Sequence, residues 1–354
     1  MKLVSFSYND YSWQLNDMNL QDVNLIVARN ANGKSRTLSV IDSLVRIISQ
    51  KREMVGGGTW KVCFRSLSGE NYDYSVAAKT SGQITREVLA VDKKILIDRK
   101  ISAARVFSKI TNKIEVIFPP EKQLILHVRR DIKAYPAFEK LIDWALNSYG
   151  FRFGTISPTN AFVNSEYDFM NPVDDLFDIY RQLSNSQRDH ILGQLRDMDY
   201  EVTAIKAILR TDSRLLEVTE NGVSRPILHV NLSQGMFRVL ALLVYFTYLI
   251  NVKKPQLITI DDLGEGLDYK RSGKIGKFIF DTCKDRGIQL IATSNDGFLM
   301  DSIPIKYWNI LQRKGINVEA LNERNSPDLF KNFIFSGLSN FDFFSSDYIE
   351  SHLK

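Results

Sequence analysis

The sequence predicts an α/β protein with a mixed sheet, an additional antiparallel β region and a helical insertion. Strand-like and helix-like runs alternate after residue 226, a pattern typical of a sheet covered by helices. Between Trp60 and Phe118, short runs of alternating apolar residues are separated by turn residues, which indicates an antiparallel meander. From roughly Tyr135 to Leu216 the apolar spacing is helical.

The α/β core is predicted from elements on both sides of the insertion. Near the N-terminus, Val23–Val27 is a short buried strand, and the helix Arg36–Gln50 places its apolar residues on one face. The elements that follow the insertion are strands at Ile227–Val230, Leu257–Ile260 and Gln289–Ala292, and helices at Gly235–Ile250 and near Ser272–Lys284. The chain is therefore expected to divide into a first part of the core (1–118), a mainly helical insertion (119–226), a second part of the core (227–320) and an aromatic-rich tail (321–354).

Composition is that of an ordinary globular protein. The 354 residues are 44% hydrophobic and 25% charged, and the formal charge of +5 permits nucleic acid contact without indicating it. Two distant cysteines, Cys63 and Cys283, favour a reducing cytoplasm over a secreted protein. The longest apolar run, Val239–Ile250, is too short to cross ~30 Å of hydrocarbon, so we expect no membrane segment.

The strongest local signal is the run Ala28–Ser35 (ARNANGKS), which follows a strand and opens a helix. It fits GxxxxGK[ST], except that Ala28 replaces the first glycine. In such a loop backbone N–H groups cradle phosphates, and Gly33 lets the backbone approach them closely. Lys34 reaches the outer phosphates, and the Ser35 hydroxyl can ligate Mg²⁺. The alternative is a chance strand–turn–helix that contains a lysine.

Further residues of this segment are assigned to the same nucleotide site: Asn30, Ala31, Asn32 and Arg36. Asn32 belongs to a residue type that tolerates left-handed geometry, so the loop can lose a glycine nearby.

A second signal is the apolar strand Leu257–Ile260, which ends in Asp261 and Asp262. Carboxylates at the end of a buried strand are costly unless they have a role. Asp261 is placed to hold Mg²⁺ through its waters, and Asp262 to orient or deprotonate an attacking water. The alternative is a strand end followed by a capped helix.

A third signal is Leu232–Met236 (LSQGM), at the start of a long apolar helix. A serine and a glycine at a helix N-terminus can form another anion site. Alone, this pattern is most often an N-cap. Its position between the other two motifs makes it more informative.

In this order, the motifs resemble the ABC-type ATPase core shared by SMC, RecF and OLD-like proteins. The resemblance covers roughly residues 1–118 and 227–320 and implies ATP and Mg²⁺ as cofactors. Ala28–Ser35 then corresponds to the Walker A loop and Leu257–Asp261 to the Walker B strand. Asp262 takes the position of the catalytic glutamate.

The resemblance also assigns residues further along the chain. Ser233 and Gly235 lie in the signature motif, which in this family binds the γ-phosphate of ATP held by a second subunit. Asp268, at the end of the run Gly266-Leu267-Asp268, matches the D-loop. Asn295 stands in the switch segment, where the family commonly has histidine. These assignments imply that the chain self-associates through its ATP sites, as a dimer or a larger assembly.

Departures from the family pattern bear on the rate of hydrolysis more than on binding. Ala28 tightens the loop. Asp262 is one methylene shorter than glutamate, so Glu265 is a second candidate for the catalytic carboxylate. Asn295 can hydrogen-bond a γ-phosphate but cannot take a proton as histidine does. For the Q-loop, Gln83 is a candidate and nothing more.

The stretch Ile260–Asp268 and the signature look closest to compact RecF- and OLD-like ATPases of bacterial defence operons. This implies a nucleotide-gated switch or sensor that controls a separate effector, a nuclease or toxin, in anti-phage defence. The alternative is a RecF/SMC-like DNA-binding ATPase of repair or recombination. A transporter subunit is disfavoured by the long insertion, and a self-contained nuclease by the few residues that follow Asp268.

Other conspicuous residues have ordinary explanations. The histidines His127, His190, His229 and His352 show no metal-ligand spacing and are expected to be surface or core residues. The basic residues Arg99, Lys100, Arg105, Arg129 and Arg130 either form a nucleic acid patch or, more simply, a solvated face. The aromatic tail residues Phe330, Phe333, Phe335, Phe341, Phe343, Phe344 and Tyr348 are expected to dock on the chain's own core, and partner binding is the alternative.

Overall fold

The computed structural model describes residues 1–51, 56–158, 176–210, 213–334 and 338–345. Along the chain, the strands are β1 Lys2–Asn9, β2 Gln14–Asn19, β3 Val23–Val27, β4 Gly58–Arg65, β5 Asn71–Ala78, β6 Ile84–Val91, β7 Lys94–Lys100, β8 Ala103–Ser108, β9 Lys113–Ile117, β10 Ser148–Arg152, β11 Val202–Arg210, β12 Ser213–Glu220, β13 Ile227–Leu228, β14 Leu257–Asp261, β15 Gln289–Thr293, β16 Trp308–Lys314 and β17 Asn317–Leu321.

The α-helices are α1 Lys34–Ile48, α2 Ile125–Val128, α3 Pro136–Leu146, α4 Leu176–Gln182, α5 Asn185–Asp197, α6 Gln234–Tyr248, α7 Tyr269–Asp285, α8 Gly297–Ser302, α9 Pro327–Ile334 and α10 Asn340–Ser345. Short 3₁₀ turns occur at Phe153–Thr155, His229–Asn231 and Ile305–Tyr307, and a π-helical turn at Leu249–Lys253 extends α6. The chain divides into two compact units. Unit 1 contains Met1–Ser148 and Ile305–Leu338, and unit 2 contains Tyr149–Pro304 and the described part of Ser339–Ser346.

Unit 1 is built on a mixed sheet with the strand order β3-β16-β17-β2-β1-β4-β5-β6-β7-β8-β9. β16 runs parallel to β3 and β17 parallel to β2, whereas β4 to β9 are successive antiparallel neighbours. The turn between β6 and β7 has positive φ at both Asp92 and Lys93, the geometry that suits a two-residue hairpin. The antiparallel meander predicted for Trp60–Phe118 is therefore confirmed.

Unit 2 contains the neighbouring strands β10, β14 and β15, and β14 runs parallel to β15. Helices α6 and α7 alternate with these strands along the chain, as the sequence predicts. A separate antiparallel sheet has the order β11-β12-β13. The α/β fold class, with a mixed sheet, helices and a meander, is confirmed.

One expectation about the insertion is wrong. The helical spacing expected to continue to Leu216 ends earlier, because β11 and β12 form an antiparallel hairpin. A register shift lies between Val202 and Ala204, so the buried residues Val202 and Ile205 are spaced as on a helix. A β-bulge of this kind imitates helical periodicity in the sequence. The predicted boundaries at 118, 226 and 320 remain a prediction, and the two compact units are divided at other positions.

The apolar run in α6 belongs to the core of unit 2. The helical stretch Gln234–Lys253 has 20 residues and a mean hydropathy of 1.7, which by length and composition alone would suffice to cross a membrane. However, 83% of its most apolar part is buried within the protein. Core helices of globular proteins can be equally long and apolar, so this stretch is weak evidence for a membrane span.

The tail behaves as expected where it is described. In unit 1, Phe330 and Phe333 of α9 are 1% and 2% exposed. In unit 2, Phe343 of α10 is fully buried, and Phe341 is partly exposed beside Gly297. Phe344 is half-buried. The predicted docking is confirmed for the buried residues, whereas Phe335 and Tyr348 lie outside the described residues.

Candidate functional site

The loop between β3 and α1 has the backbone of a phosphate cradle. Every residue of β3 is buried, and Ala28 directly after it is fully buried. Ala31 has φ 66° and Gly33 has φ 100°, so the left-handed positions fall on these residues and not on Asn32. A Cβ at Gly33 would lie 3.0 Å from Trp13 Nε1. Glycine is thus required at 33 by both the backbone angle and the available space.

Lys34 lies inside this loop. Its side chain is 7% exposed, and Nζ donates a hydrogen bond of 2.8 Å to the carbonyl of Ala28. Gly33 caps α1 without a side-chain hydrogen bond, and the first turn of α1 has no acidic residue. Asn30, Ala31 and Ser35 are exposed, and Asn32 is half-buried. A helix N-terminus of this kind, with a lysine beside it, favours an anion.

Asp10 supports the loop from the start of the chain. It accepts hydrogen bonds from the Ser12 and Trp13 amides at 2.7 and 2.8 Å and pairs with Arg36 at 2.8 Å. Burial alone would raise the pKa of Asp10, but the hydrogen bonds from Ser12 and Tyr8 and the charge of Arg36 together lower it. The carboxylate therefore stays charged and holds residues 10–13 against the first turn of α1.

Two arginines contact the loop or its supporting segment. Arg36, predicted as a nucleotide contact, donates to Asp10 and Ser12 and lies 5.2 Å over the Trp13 ring. Arg313 of β16 donates to the carbonyl of Ala31 at 3.3 Å. No pattern in the sequence marks Arg313, because β16 reaches the loop only through its pairing with β3.

The carboxylates of unit 2 are held at the end of β14. Thr293, at the end of the parallel strand β15, donates from Oγ1 to Asp261 Oδ1 at 2.6 Å and accepts from the Asp262 amide at 2.8 Å. Asp262 has φ 54°, a conformation that aspartate and asparagine adopt more readily than most residues. Thr293 thus links both predicted carboxylates, and the sequence analysis did not single it out.

Asp262 and Glu265 meet at Gly154. A Cβ on Gly154 would lie 3.0 Å from Asp262 Cβ and 3.2 Å from Asp262 Oδ2, and would also collide with Glu265 Oε2. Gly154 belongs to the 3₁₀ turn that follows β10. The structure therefore brings the two candidate catalytic carboxylates together on one glycine, which leaves no room for a side chain there.

Arg238 of α6 connects this arrangement to the helix that carries the predicted signature motif. It is 6% exposed and donates to the carbonyls of Ile156, Glu265 and Gly154 at 3.0, 2.8 and 2.5 Å. One guanidinium thus connects α6 with the turn after β10 and with the loop that holds Glu265. Arginine suits this role because its planar group presents several donors in fixed directions.

The remaining predicted residues of unit 2 lie at helix starts and turns. Ser233 is exposed and caps α6 by accepting from the Met236 amide at 3.3 Å, and a Cβ on Gly235 would lie 3.1 Å from the Gly266 carbonyl. Asp268 caps α7 by accepting from the Arg271 amide at 3.1 Å. Asn295 is exposed next to Asp296, which caps α8. Ser233 and Asp268 therefore have a structural role in addition to any nucleotide contact.

The Q-loop candidate and the metal ligands remain predictions. The Gln83 side chain donates to Glu121 Oε1 at 3.1 Å. Within the described ranges, no cluster of three or more His, Cys, Asp and Glu residues is arranged to hold a metal ion. Magnesium sites commonly combine few protein ligands with substrate phosphates, and the assignment of the Ser35 hydroxyl and the Asp261 carboxylate as Mg²⁺ ligands stays a prediction.

The predicted basic residues do not form one patch. Arg99 is fully buried, lies 3.9 Å from Glu87, and donates to the carbonyls of Gln123 and Pro120. Both interpretations of Arg99 as a surface residue are therefore wrong. The reason is that Glu87 is equally buried on the neighbouring strand β6, directly opposite Arg99 on β7. Arg130 is paired with Glu139 at 2.6 Å.

The histidines that are described have structural partners. His229 is 3% exposed and accepts from the Leu216 amide at 3.0 Å, and burial lowers its pKa. His127 Nε2 lies 2.9 Å from the Ile48 carbonyl, and the His190 ring lies 6.1 Å from that of Phe278. His352 lies outside the described residues.

Together these features define an α/β P-loop ATPase fold, with the predicted phosphate-binding loop after β3 and a carboxylate pair at the end of β14. Among the solved structures that match it are an SmcHead bound to the C-winged helix domain of ScpA, and a Smc head domain with an extended coiled coil bound to the C-terminal domain of ScpA derived from Pyrococcus furiosus. The first is 11% identical, covers 93% of this chain and 100% of its own, and has a TM-score of 0.56. The second is 9% identical, covers 94% and 99%, and has a TM-score of 0.52.

The chain therefore has the fold of SMC head domains. No family model matches the chain. No curated protein matches it in sequence.

Proposed function

We propose that this chain is an ATP-binding and ATP-hydrolysing switch of ABC type that controls a separate effector protein. The observation that carries the proposal is the loop after β3, in which Lys34 Nζ lies 2.8 Å from the Ala28 carbonyl at the uncapped start of α1. A lysine held beside exposed helical N–H groups binds the phosphates of a nucleotide. In this proposal Asn30, Ala31, Asn32, Gly33, Ser35 and Arg36 complete the nucleotide contacts.

Hydrolysis needs a metal ion and a group that orients water. We assign Mg²⁺ to Ser35 and Asp261, and the attacking water to Asp262, with Glu265 as the second candidate. The ion neutralises charge on the outer phosphates, and a carboxylate positions the nucleophile. The contact between Thr293 and Asp261 supports the assignment, since it fixes the carboxylate at 2.6 Å. Asn295 is assigned to the γ-phosphate.

A second copy of the chain completes the proposed site. Ser233 and Gln234 are exposed at the start of α6 although the rest of that helix is largely buried. Exposed residues at a helix N-terminus are available to an anion bound by another molecule. We therefore assign Ser233, Gly235 and Asp268 to the ATP of a partner subunit, so that ATP binding closes a dimer or a larger assembly and hydrolysis opens it.

The output of this cycle is proposed to be a change in the affinity for an effector, a nuclease or toxin of bacterial anti-phage defence in the cytoplasm. Nucleotide-driven closure biases a partner only through different affinities for the open and closed states. The two SMC heads of similar fold are each bound to a domain of ScpA, which supports a protein partner for this fold. Stimulation of ATP turnover by DNA would favour the repair alternative.

Isothermal titration of ATP with the Lys34→Ala variant tests the nucleotide site. Loss of the charge-assisted contact from Lys34, whose side chain is only 7% exposed, should weaken ATP binding about ten- to a hundredfold. Lys61→Ala, which removes an exposed lysine from β4 of the same unit, serves as the control and should bind as the wild type does. Equal affinity of the Lys34→Ala variant and the wild type would refute the assignment of Lys34.

Mixing two inactive variants tests the shared site. Lys34→Ala and Ser233→Arg chains should each fail to hydrolyse ATP alone. Mixed dimers would contain one site with both defects and one with neither, so part of the activity should return. No recovery, with dimers verified by light scattering, would mean that each site is completed within one chain.

A further inference from the structure

A cavity in unit 1, away from the phosphate-binding loop in sequence, has the lining of a small-molecule site. Its volume is 440 Å³, and it lies between β5–β8 and the start of α3. Tyr72, Val91 and Lys94 are successive cross-strand partners on β5, β6 and β7, so their side chains leave the same face of the sheet. Tyr135 and Phe138 form the opposite wall, with rings stacked at 5.1 Å. Small-molecule sites typically enclose about 300–1,000 Å³ with such an aromatic and aliphatic lining.

The rim of this cavity is positively charged. Lys94, Lys109 and Lys140 line it, together with the single acidic residue Glu70. Lys140 Nζ lies 2.9 Å from Glu70 Oε2, and hydrogen bonding from Lys140 is the largest cause that lowers the pKa of Glu70 to about 2. Lys140 and Glu70 therefore neutralise each other.

The other two lysines are available for a ligand. Within the parts of the chain that the structure describes, neither Lys94 nor Lys109 has a side-chain ion pair or hydrogen bond. Lys94 Nζ lies 3.6 Å over the half-buried ring of Phe107. The Phe107 ring thus holds the Lys94 ammonium at the cavity by a cation–π contact, and this ammonium can still donate charge-assisted hydrogen bonds to an anion.

We propose that this cavity binds a small aromatic anion of nucleotide size, independently of the ATP site. The base would lie against Tyr135 in the opposite wall, and Lys94 and Lys109 would hold the phosphate. The same chemistry is offered by a free nucleoside monophosphate and by one unit of a single-stranded nucleic acid, which combines a base for stacking with a charged backbone. An aliphatic anion of the same charge would leave the aromatic wall without a partner.

The experiment uses the full chain with Lys34→Ala, in buffer without Mg²⁺, so that binding at the predicted ATP site is weakened. The probes are AMP, GMP, CMP and UMP by calorimetry, and a short fluorescein-labelled oligothymidylate by anisotropy. Saturable binding of a mononucleotide that also displaces the oligonucleotide identifies the free nucleotide. Binding of the oligonucleotide alone identifies a single strand. Absence of binding by every probe overturns the proposal.

Matched charge changes locate the site. Lys94→Glu and Lys109→Glu should each lower the affinity about tenfold, the loss expected for one charge-assisted contact. Lys100→Glu reverses the charge of another exposed residue of β7 that does not line the cavity, and should change the affinity by less than about twofold. Lys109→Gln removes the charge without reversing it. It should also weaken binding, and a melting temperature equal to that of the Lys34→Ala background shows that the loss does not come from misfolding. Equal losses in the Lys100→Glu and Lys109→Glu variants would place binding elsewhere and overturn the proposal.

Discussion

In unit 1, the predicted phosphate-binding loop takes its backbone turns and its lysine contact from residues close together in the chain, although Asp10 and Arg313 support it from further away. Gly33 and Ala31 provide the left-handed turns, and Lys34 donates to the carbonyl of Ala28, six residues earlier. In unit 2, the carboxylates depend on residues far away in the chain. Thr293 lies 31 residues from Asp262, and Arg238 lies 84 from Gly154.

The difference separates two ways to build a reactive site. A local loop needs a short motif, and most changes elsewhere leave its backbone intact. A nonlocal cluster needs correct packing of several elements, so substitutions that never touch a nucleotide can displace its carboxylates. We therefore expect binding to be robust and hydrolysis to be fragile.

The largest expected effect comes from changing a carboxylate of unit 2, which should separate hydrolysis from binding. Asp262→Asn keeps a residue type that accepts the observed φ of 54° but removes the charge that we propose orients water. ATP turnover should fall by about 10²–10⁴-fold while ATP affinity is retained. Phosphate release and calorimetry measure the two quantities. Should the Asn variant turn over normally and Glu265→Gln not, Glu265 is the catalytic carboxylate.

The next effect concerns Arg238. Arg238→Gln leaves the buried carbonyls of Gly154, Ile156 and Glu265 without their common donor. The free energy of unfolding of unit 2 should drop by about 2–4 kcal/mol, and turnover should fall with it. Denaturant unfolding measures the free energy of unfolding, and phosphate release measures turnover.

The control for Arg238 lies in the same unit. Arg214 makes a surface ion pair with Asp178, and its side chain is 63% exposed. Arg214→Gln should change the free energy of unfolding by less than about 1 kcal/mol. If both variants lose equal stability, the three carbonyls do not depend on Arg238.

The smallest effect tests the space above the carboxylates. Gly154→Ala places a Cβ 3.0 Å from that of Asp262, which should cost about 1–2 kcal/mol and slow turnover more than it weakens binding. Gly193→Ala, inside α5 with no atom within 4 Å of the added Cβ, should instead stabilise by up to about 1 kcal/mol. Thermal unfolding and phosphate release compare the pair. Normal turnover in Gly154→Ala would mean that this turn does not position Asp262 or Glu265.

Sequence alone predicted the strand, loop and helix around Lys34, because a buried run, a glycine and an amphipathic helix leave local patterns. β3 has the predicted bounds, and α1 differs from prediction by two residues at each end. The prediction for the loop was wrong in one detail, since Ala31 and not Asn32 has the left-handed backbone conformation. Propensity favours asparagine there, but the geometry of the whole loop decides which residue bears the strain.

The contacts of the carboxylates could not be predicted in the same way. Asp261 and Asp262 stand out at the end of a buried strand, but Thr293 becomes relevant only through the parallel pairing of β14 with β15. Gly154 lies in a turn with no motif. Likewise Arg99 reads as a surface charge until its burial opposite Glu87 is known. The contacts of Thr293, Gly154 and Arg99 depend on pairing and packing between distant segments. The periodicity of a single sequence does not show which distant segments pair.

The hydrogen bond from Lys34 to Ala28 has a consequence for the thermodynamics of capture. Fixing a lysine side chain removes up to about 2 kcal/mol of rotational freedom. Here the loop itself restrains Lys34 in a 7%-exposed position, so that this loss belongs to folding and not to the encounter with ligand. In the proposed nucleotide site, an arriving phosphate would replace the Ala28 carbonyl as the acceptor for an ammonium already in place. The entropy of ordering this side chain then contributes little to the difference in affinity between nucleotides, and the strength of the phosphate as an acceptor contributes most.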